Sequence, residues 1–169
     1  MRLIIVGLLC LVSGFSIAAT PSQLKLTVTL PQLEVAEYHA PYVAVWIEDE
    51  KRQPTHVALW YDVAMANGEG QDWLKDLRQW WRRGGRGLSM PVDGLTGATR
   101  GPGQHIISTQ LTDALATLAP GKYHLVVEAA REVGGREVLQ LPLELPLAAQ
   151  QLPLEVTGQH ELSAIRLHF

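Results

Sequence analysis

From residue 24 to residue 168 the chain is a succession of short runs, alternating in polarity or rich in β-branched residues and punctuated by glycine and proline. Nothing else in the sequence constrains the fold as strongly. Leu24 to Leu30 (LKLTVTL) alternates, with Leu24, Leu26, Val28 and Leu30 on one face, as a half-buried strand requires. Tyr42 to Glu48 (YVAVWIE) is nearly all apolar, the pattern of a strand covered on both faces. A Gln53-Pro54 turn separates it from His56 to Val63 (HVALWYDV), which makes the pair a hairpin. Gly103 to Gln110, Lys122 to Ala130 and Arg136 to Leu145 continue the series, and Leu152 to Val156 and Leu162 to His168 close it. Gly134-Gly135, between Glu132 and Arg136, reads as a further hairpin turn. Pro120-Gly121 ahead of Lys122-Tyr123 is similar to the turn that enters a late strand of immunoglobulin-like domains. Seven or eight strands of this kind predict a mainly β fold, an immunoglobulin-like antiparallel β-sandwich. No repeat, low-complexity stretch or linker divides the sequence, so residues 20–169 are expected to form one domain.

One segment departs from the strand pattern. Gln71 to Arg83 (QDWLKDLRQWWRR) puts Trp73, Leu74, Leu77, Trp80 and Trp81 at helical spacing. Asp72 is placed to act as N-cap and Asp76 falls early in the helix, while Arg82 and Arg83 occupy its last turn and Gly84-Gly85 end it. The expectation is a single amphipathic helix over about 71–83, inserted into the β domain.

The first residues bear on the compartment. Met1-Arg2 carries a positive charge, Leu3 to Val12 is an apolar run too short to span a bilayer, and Ser16-Ile17-Ala18-Ala19 offers small residues for cleavage. Residues 1–19 therefore read as a secretory signal peptide, with an uncleaved anchor as the alternative, and the expected location is the periplasm. Cys10 lies inside that segment, and Gly7-Leu8-Leu9 before it lacks the small residue a lipoprotein signal wants. The exported chain would then contain no cysteine, which removes disulfides, thiolate catalysis, cysteine-ligated zinc and iron–sulfur clusters. A formal net charge of −3 argues against nucleic acid as a partner. Positive charge is nonetheless gathered in Arg78, Arg82, Arg83, Arg86 and Arg100.

Those arginines bracket Asp93-Gly94-Leu95-Thr96-Gly97-Ala98-Thr99. This heptapeptide resembles the D-x-x-[S/T]-G-A-T acceptor motif of periplasmic flavin transferases, in which the last threonine receives FMN through its phosphate. The resemblance makes Thr99 the acceptor and Asp93, Thr96, Gly97 and Ala98 recognition elements for the transferase. An acceptor must enter the active site of another enzyme, so the segment is expected to be an exposed, flexible loop, with Gly97 and Ala98 leaving room beside the threonine. Asp93 is either read by the transferase or ties the loop through an Asx-turn. The competing reading is an ordinary surface loop; average residue usage gives the pattern by chance on the order of once in a few thousand chains of this length.

Four blocks occur in order: Pro41 to Asp49 (PYVAVWIED), Trp73 to Arg82 (WLKDLRQWWR), the heptapeptide, and Glu128 to Glu132 (EAARE). Together they resemble the bacterial periplasmic DUF2271 family across roughly residues 22–168. The resemblance implies association with flavin transferases, flavodoxin-like proteins and PepSY-type membrane redox components, and hence extracytosolic electron transfer.

Arg82, Arg83, Arg86 and Arg100 suit the charge of a phosphodiester-linked FMN, since guanidinium groups bind phosphate well; the competing reading is a solvated helix end. Trp73 and one of Trp80 and Trp81 are expected in the core, leaving the other of the pair, taken as Trp81, to meet a flavin ring, while Trp46 and Trp60 are expected in the core of strands. The six histidines show no metal-ligand spacing, and Glu48-Asp49-Glu50 reads as a surface turn. With no nucleophile or acid–base constellation, the chain looks like an electron carrier and transferase substrate rather than a turnover enzyme. The alternative is a cofactor-free immunoglobulin-like adaptor that binds an envelope or redox partner; a weaker third is a small flavin enzyme.

Overall fold

Nine strands pair into two sheets in the computed structural model, which describes residues 23–169; the leader assigned to residues 1–19 lies outside that range. The strands are β1 (Lys25–Leu30), β2 (Tyr42–Asp49), β3 (Pro54–Tyr61), β4 (Thr96–Ala98), β5 (Gly103–Ile107), β6 (Gly121–Ala130), β7 (Arg136–Leu145), β8 (Leu154–Thr157) and β9 (Ala164–His168). One sheet runs β5-β1-β9-β8 and the other β4-β3-β2-β6-β7. All pairings are antiparallel except β3 with β4, where Leu59, Trp60 and Tyr61 lie beside Thr96, Gly97 and Ala98 in parallel. The mainly β sandwich expected from the sequence is what forms.

Alternation decides which side chains meet between the sheets. Leu26, Val28 and Leu30 of β1, with Ile165 and Leu167 of the neighbouring β9, face Val43, Val45 and Ile47 of β2 and Leu125 and Val127 of β6 in one continuous core. The five-stranded sheet buries its other face too. There Ala44, Trp46, Leu59, Tyr61, Val126 and Ala130 pack under Leu74, Leu77 and Trp80. Two-sided burial explains why β2 has almost no polar residue. The molecule thus has three layers: four-stranded sheet, five-stranded sheet, helical cover.

That cover differs from the single helix expected over 71–83. It is a 3₁₀ segment, Ala66–Asp76, with positive φ at Asn67 and Gly68, followed by α1 (Arg78–Arg83), with Leu77 in a non-helical conformation between them. Asp72 caps nothing. The start of α1 is instead fixed by Glu128 of β6, a fully buried carboxylate that accepts the backbone N–H of Gln79 at 3.0 Å and of Trp80 at 2.7 Å. Arg136 Nη1 donates to the same carboxylate at 2.7 Å. The other end is tied by Glu48, whose Oε2 accepts Arg83 Nε at 3.0 Å and Trp46 Nε1 at 3.1 Å. Glu48 is therefore a buried structural acceptor and not part of a surface turn. Gly84, at φ 149°, ends α1 where Gly84-Gly85 was expected to.

A second helix, α2 (Thr109–Ala116), occupies part of what reads as strand and loop after Ile107. Leu111 and Ala114 face the inter-sheet core, with Leu115 and Leu118 packed against it. Their i, i+3, i+4, i+7 spacing is the signal that marks this helix.

Candidate functional site

Residues 92–99 lie along the outer edge of β3. Val92 O accepts Leu95 N at 3.2 Å and Thr96 N at 3.0 Å, closing a turn in which Gly94 takes φ 73°. A side chain at position 94 would be strained, so glycine there is a requirement of the turn. The Asp93 carboxylate is exposed and makes no hydrogen bond among the described residues, so no Asx-turn forms. The chain then runs as β4, bounded by Leu59 N donating to Leu95 O at 2.9 Å and Thr99 N donating to Tyr61 O at 3.1 Å. The expected flexible loop is thus an ordered edge strand. Its cause is the open edge of β3, whose backbone groups would otherwise lack partners, and small residues at 97 and 98 let the chain lie against it.

The two threonines of this segment differ. Thr96 Oγ1 donates back to Val92 O at 3.0 Å. Thr99 Oγ1 has no hydrogen-bond partner among the described residues, and Thr99 lines a small cleft of about 120 Å³. The cleft is closed on other sides by Tyr42, Asp62, Trp73, Asp76 and Glu132. Tyr42 donates its hydroxyl to Gly70 O at 3.0 Å, fastening the 3₁₀ segment to the start of β2. Gly70 itself admits no side chain, because a Cβ there would fall on Asp62 O. Burial raises the Tyr42 phenol above its ordinary 10.0; a hydrogen bond with the Asp62 backbone opposes it next, and the charges of Asp62 and Glu132 add smaller upward effects. The hydroxyl consequently remains a donor at neutral pH.

The chain matches the family described as predicted periplasmic protein (DUF2271) over residues 23–164. It belongs to that family. No curated protein and no solved structure matches it.

The remaining candidate residues of this DUF2271 chain are scattered. Trp73 is 45% exposed and lines the cleft, contrary to its expected place in the core. The 3₁₀ winding at three residues per turn, followed by the break at Leu77, turns it away from the face carrying Leu74, Leu77 and Trp80. Trp80 is fully buried and bonds His56 Nδ1 through Nε1 at 3.1 Å. Trp81 packs against the second core beside Trp80 and does not line the cleft. Arg83 is held by Glu48, whereas Arg82 and Arg86 are exposed and make no ion pair among the described residues. Arg100, next to Thr99, lays its guanidinium 4.5 Å from the centroid of the buried Trp60 ring. Gly97 is half-buried beside Trp60, with space for a Cβ at 3.6 Å from Trp60 Cδ1. No steric demand of the fold requires glycine there. The described residues contain no group of three or more metal-ligating side chains.

Proposed function

We propose that this domain is a periplasmic electron carrier whose FMN is esterified to Thr99 by a flavin transferase. The observation that carries the reading is the contrast between the two threonine hydroxyls: Thr96 is turned inward onto Val92 O, while Thr99 is unbonded at the mouth of a cleft. The acceptor oxygen needs no bond broken within the domain, an exposed indole shares the cleft, and Arg100, the next residue in the chain, lies over Trp60 and does not line it. In the transfer, Thr99 Oγ1 attacks the flavin-side phosphorus of a flavin dinucleotide. A P–O bond to threonine forms as the pyrophosphate linkage breaks, the nucleoside monophosphate leaves, and the hydroxyl proton passes to a base of the transferase. Bound flavin supplies the electron-transfer chemistry, and the chain supplies position, exposure and electrostatics. Asp93, whose carboxylate serves no turn, is left available as a transferase recognition element. A membrane redox protein, PepSY-type or similar, would be the electron donor.

Co-expression with a periplasmic flavin transferase is expected to add one FMN, less one water, to the intact mass and to give a fluorescent band on a denaturing gel. Thr99→Ala is expected to abolish the adduct and Thr96→Ala to retain it at least in part. Wild-type protein without the adduct would favour the cofactor-free adaptor, and an adduct surviving Thr99→Ala would move the acceptor elsewhere.

A further inference from the structure

Trp73 offers an apolar ring where the rest of the fold has no reason to expose one. Leu74 and Leu77 from the same segment are buried, and the Tyr42 hydroxyl and the closely fitted Gly70 hold that segment in place. The indole shares its cleft with Thr99, Met65, Asp62, Asp76 and Glu132. Lys75 Nζ lies 5.6 Å from the same ring centroid, an exposed cation–π contact that is weak and easily displaced.

At about 120 Å³ the cleft is well below the roughly 300–1,000 Å³ of pockets that enclose a free small molecule. A tethered group has no such need. Covalent attachment at Thr99 gives a ring a high effective concentration at a site too shallow to capture it from solution. A planar heteroaromatic ring then gains from stacking on indole while one face or edge stays open to solvent. The acidic rim sets the charge balance. Arg131, the cation lining the cleft, is paired with Glu161 at 3.0 Å, leaving the carboxylates of Asp62, Asp76 and Glu132, with His39 within 3.5 Å of the last.

Resting on the flavin reading above, we propose that this cleft is the docking site of the isoalloxazine, with Trp73 as its platform, and that the carboxylates beside it disfavour added negative charge on the ring. The domain is then a low-potential carrier with its ring partly open for exchange with a redox partner. Trp81 and Arg82, in contrast, stay remote from the ring.

The test uses the flavinylated full chain, with labelling read by intact mass and docking read by flavin emission and visible circular dichroism. Trp73→Ala is expected to accept flavin fully but to emit several-fold more brightly and lose its visible dichroism, because an adjacent indole quenches flavin emission. Trp73→Phe is expected to restore the dichroism in part, and Trp81→Phe to match wild type in both readouts. Asp62→Asn and Asp76→Asn are each expected to raise the midpoint potential. Trp73→Ala with unchanged emission and dichroism would overturn the docking site while leaving Thr99 as acceptor. Unchanged potentials would overturn the role of the rim. No adduct on wild type would remove the flavin reading, and this inference with it.

Discussion

His56 shows how one proton can reach the whole cover layer. Its Nδ1 accepts the Trp80 Nε1–H at 3.1 Å, so the ring must be neutral with its proton on Nε2. Burial lowers its pKa from the ordinary 6.5, which favours that neutral form. The unfolded chain takes up the proton first as pH falls. The His56 contribution is therefore complete above pH 6.5 and is lost as pH drops from there through the folded value. Glu137 acts in a lower window. Burial raises its pKa, but the backbone N–H groups of Gln159, Leu162 and His160 outweigh that, and the net shift is downward from 4.5. Its contribution is complete above pH 4.5 and is lost as pH falls through the folded value. Thermal unfolding followed across mildly acidic pH is expected to show two successive losses of Tm. His56→Gln, which keeps an acceptor for Trp80, is expected to remove the upper one alone. A Tm profile in which that variant still falls below pH 6.5 as wild type does would refute the assignment. At this scale the sequence could name Thr99 by resemblance, but the inward bond of Thr96 depends on a turn it could not display.

The elements most legible in the sequence were those whose pattern is local. β1, β2, β6 and β7 follow from alternation or continuous apolar runs, and the β6–β7 turn follows from Gly134-Gly135; the β2–β3 turn lies ahead of the expected Gln53-Pro54, with Arg52 at positive φ and Pro54 already paired in β3. The break in the helical cover was hidden because its cause is distant: Glu128 is about fifty positions from the amides it receives. Trp73 was misplaced for the same reason, since a helical wheel assumes one continuous helix. β4 is not legible in the sequence because three small residues carry no strand signal until the edge of β3 is there to receive them. The Glu128 account has a measurable consequence. Two buried hydrogen bonds to a carboxylate are worth roughly 1.5–3 kcal/mol each, and an amide in its place turns a donor toward one of the N–H groups. Glu128→Gln is expected to cost about 2–4 kcal/mol in denaturant unfolding and to weaken the near-ultraviolet dichroism of Trp80. Arg136, its cationic partner, is 38% exposed on its side chain, so Arg136→Ala is expected to cost about 1 kcal/mol or less. Equal costs would mean that the ion pair, and not the capping of α1, is what Glu128 provides.

Across the whole molecule, stability should fall steeply from the middle of the five-stranded sheet to its open edge. β2 and the second half of β6, residues 125–130, are buried on both faces and paired on both sides, so exposing their amides requires both cores to open. β4 has one neighbour, three paired residues and no fully buried side chain. This gradient reconciles an ordered segment with the access that the proposed modification of Thr99 needs: residues 95–99 can leave the edge of β3 while both cores stay intact. Two amides report that event together. Leu59 N loses Leu95 O and Thr99 N loses Tyr61 O when the segment peels away, although Leu59 itself belongs to a buried strand. Native-state hydrogen exchange is expected to show the Leu59 and Thr99 amides exchanging through one shared local opening, well before Val45 and Val127 exchange by global unfolding. If Leu59 and Thr99 exchanged only as slowly as Val45 and Val127, residues 95–99 would be locked to the core. A transferase would then have to act before the domain folds.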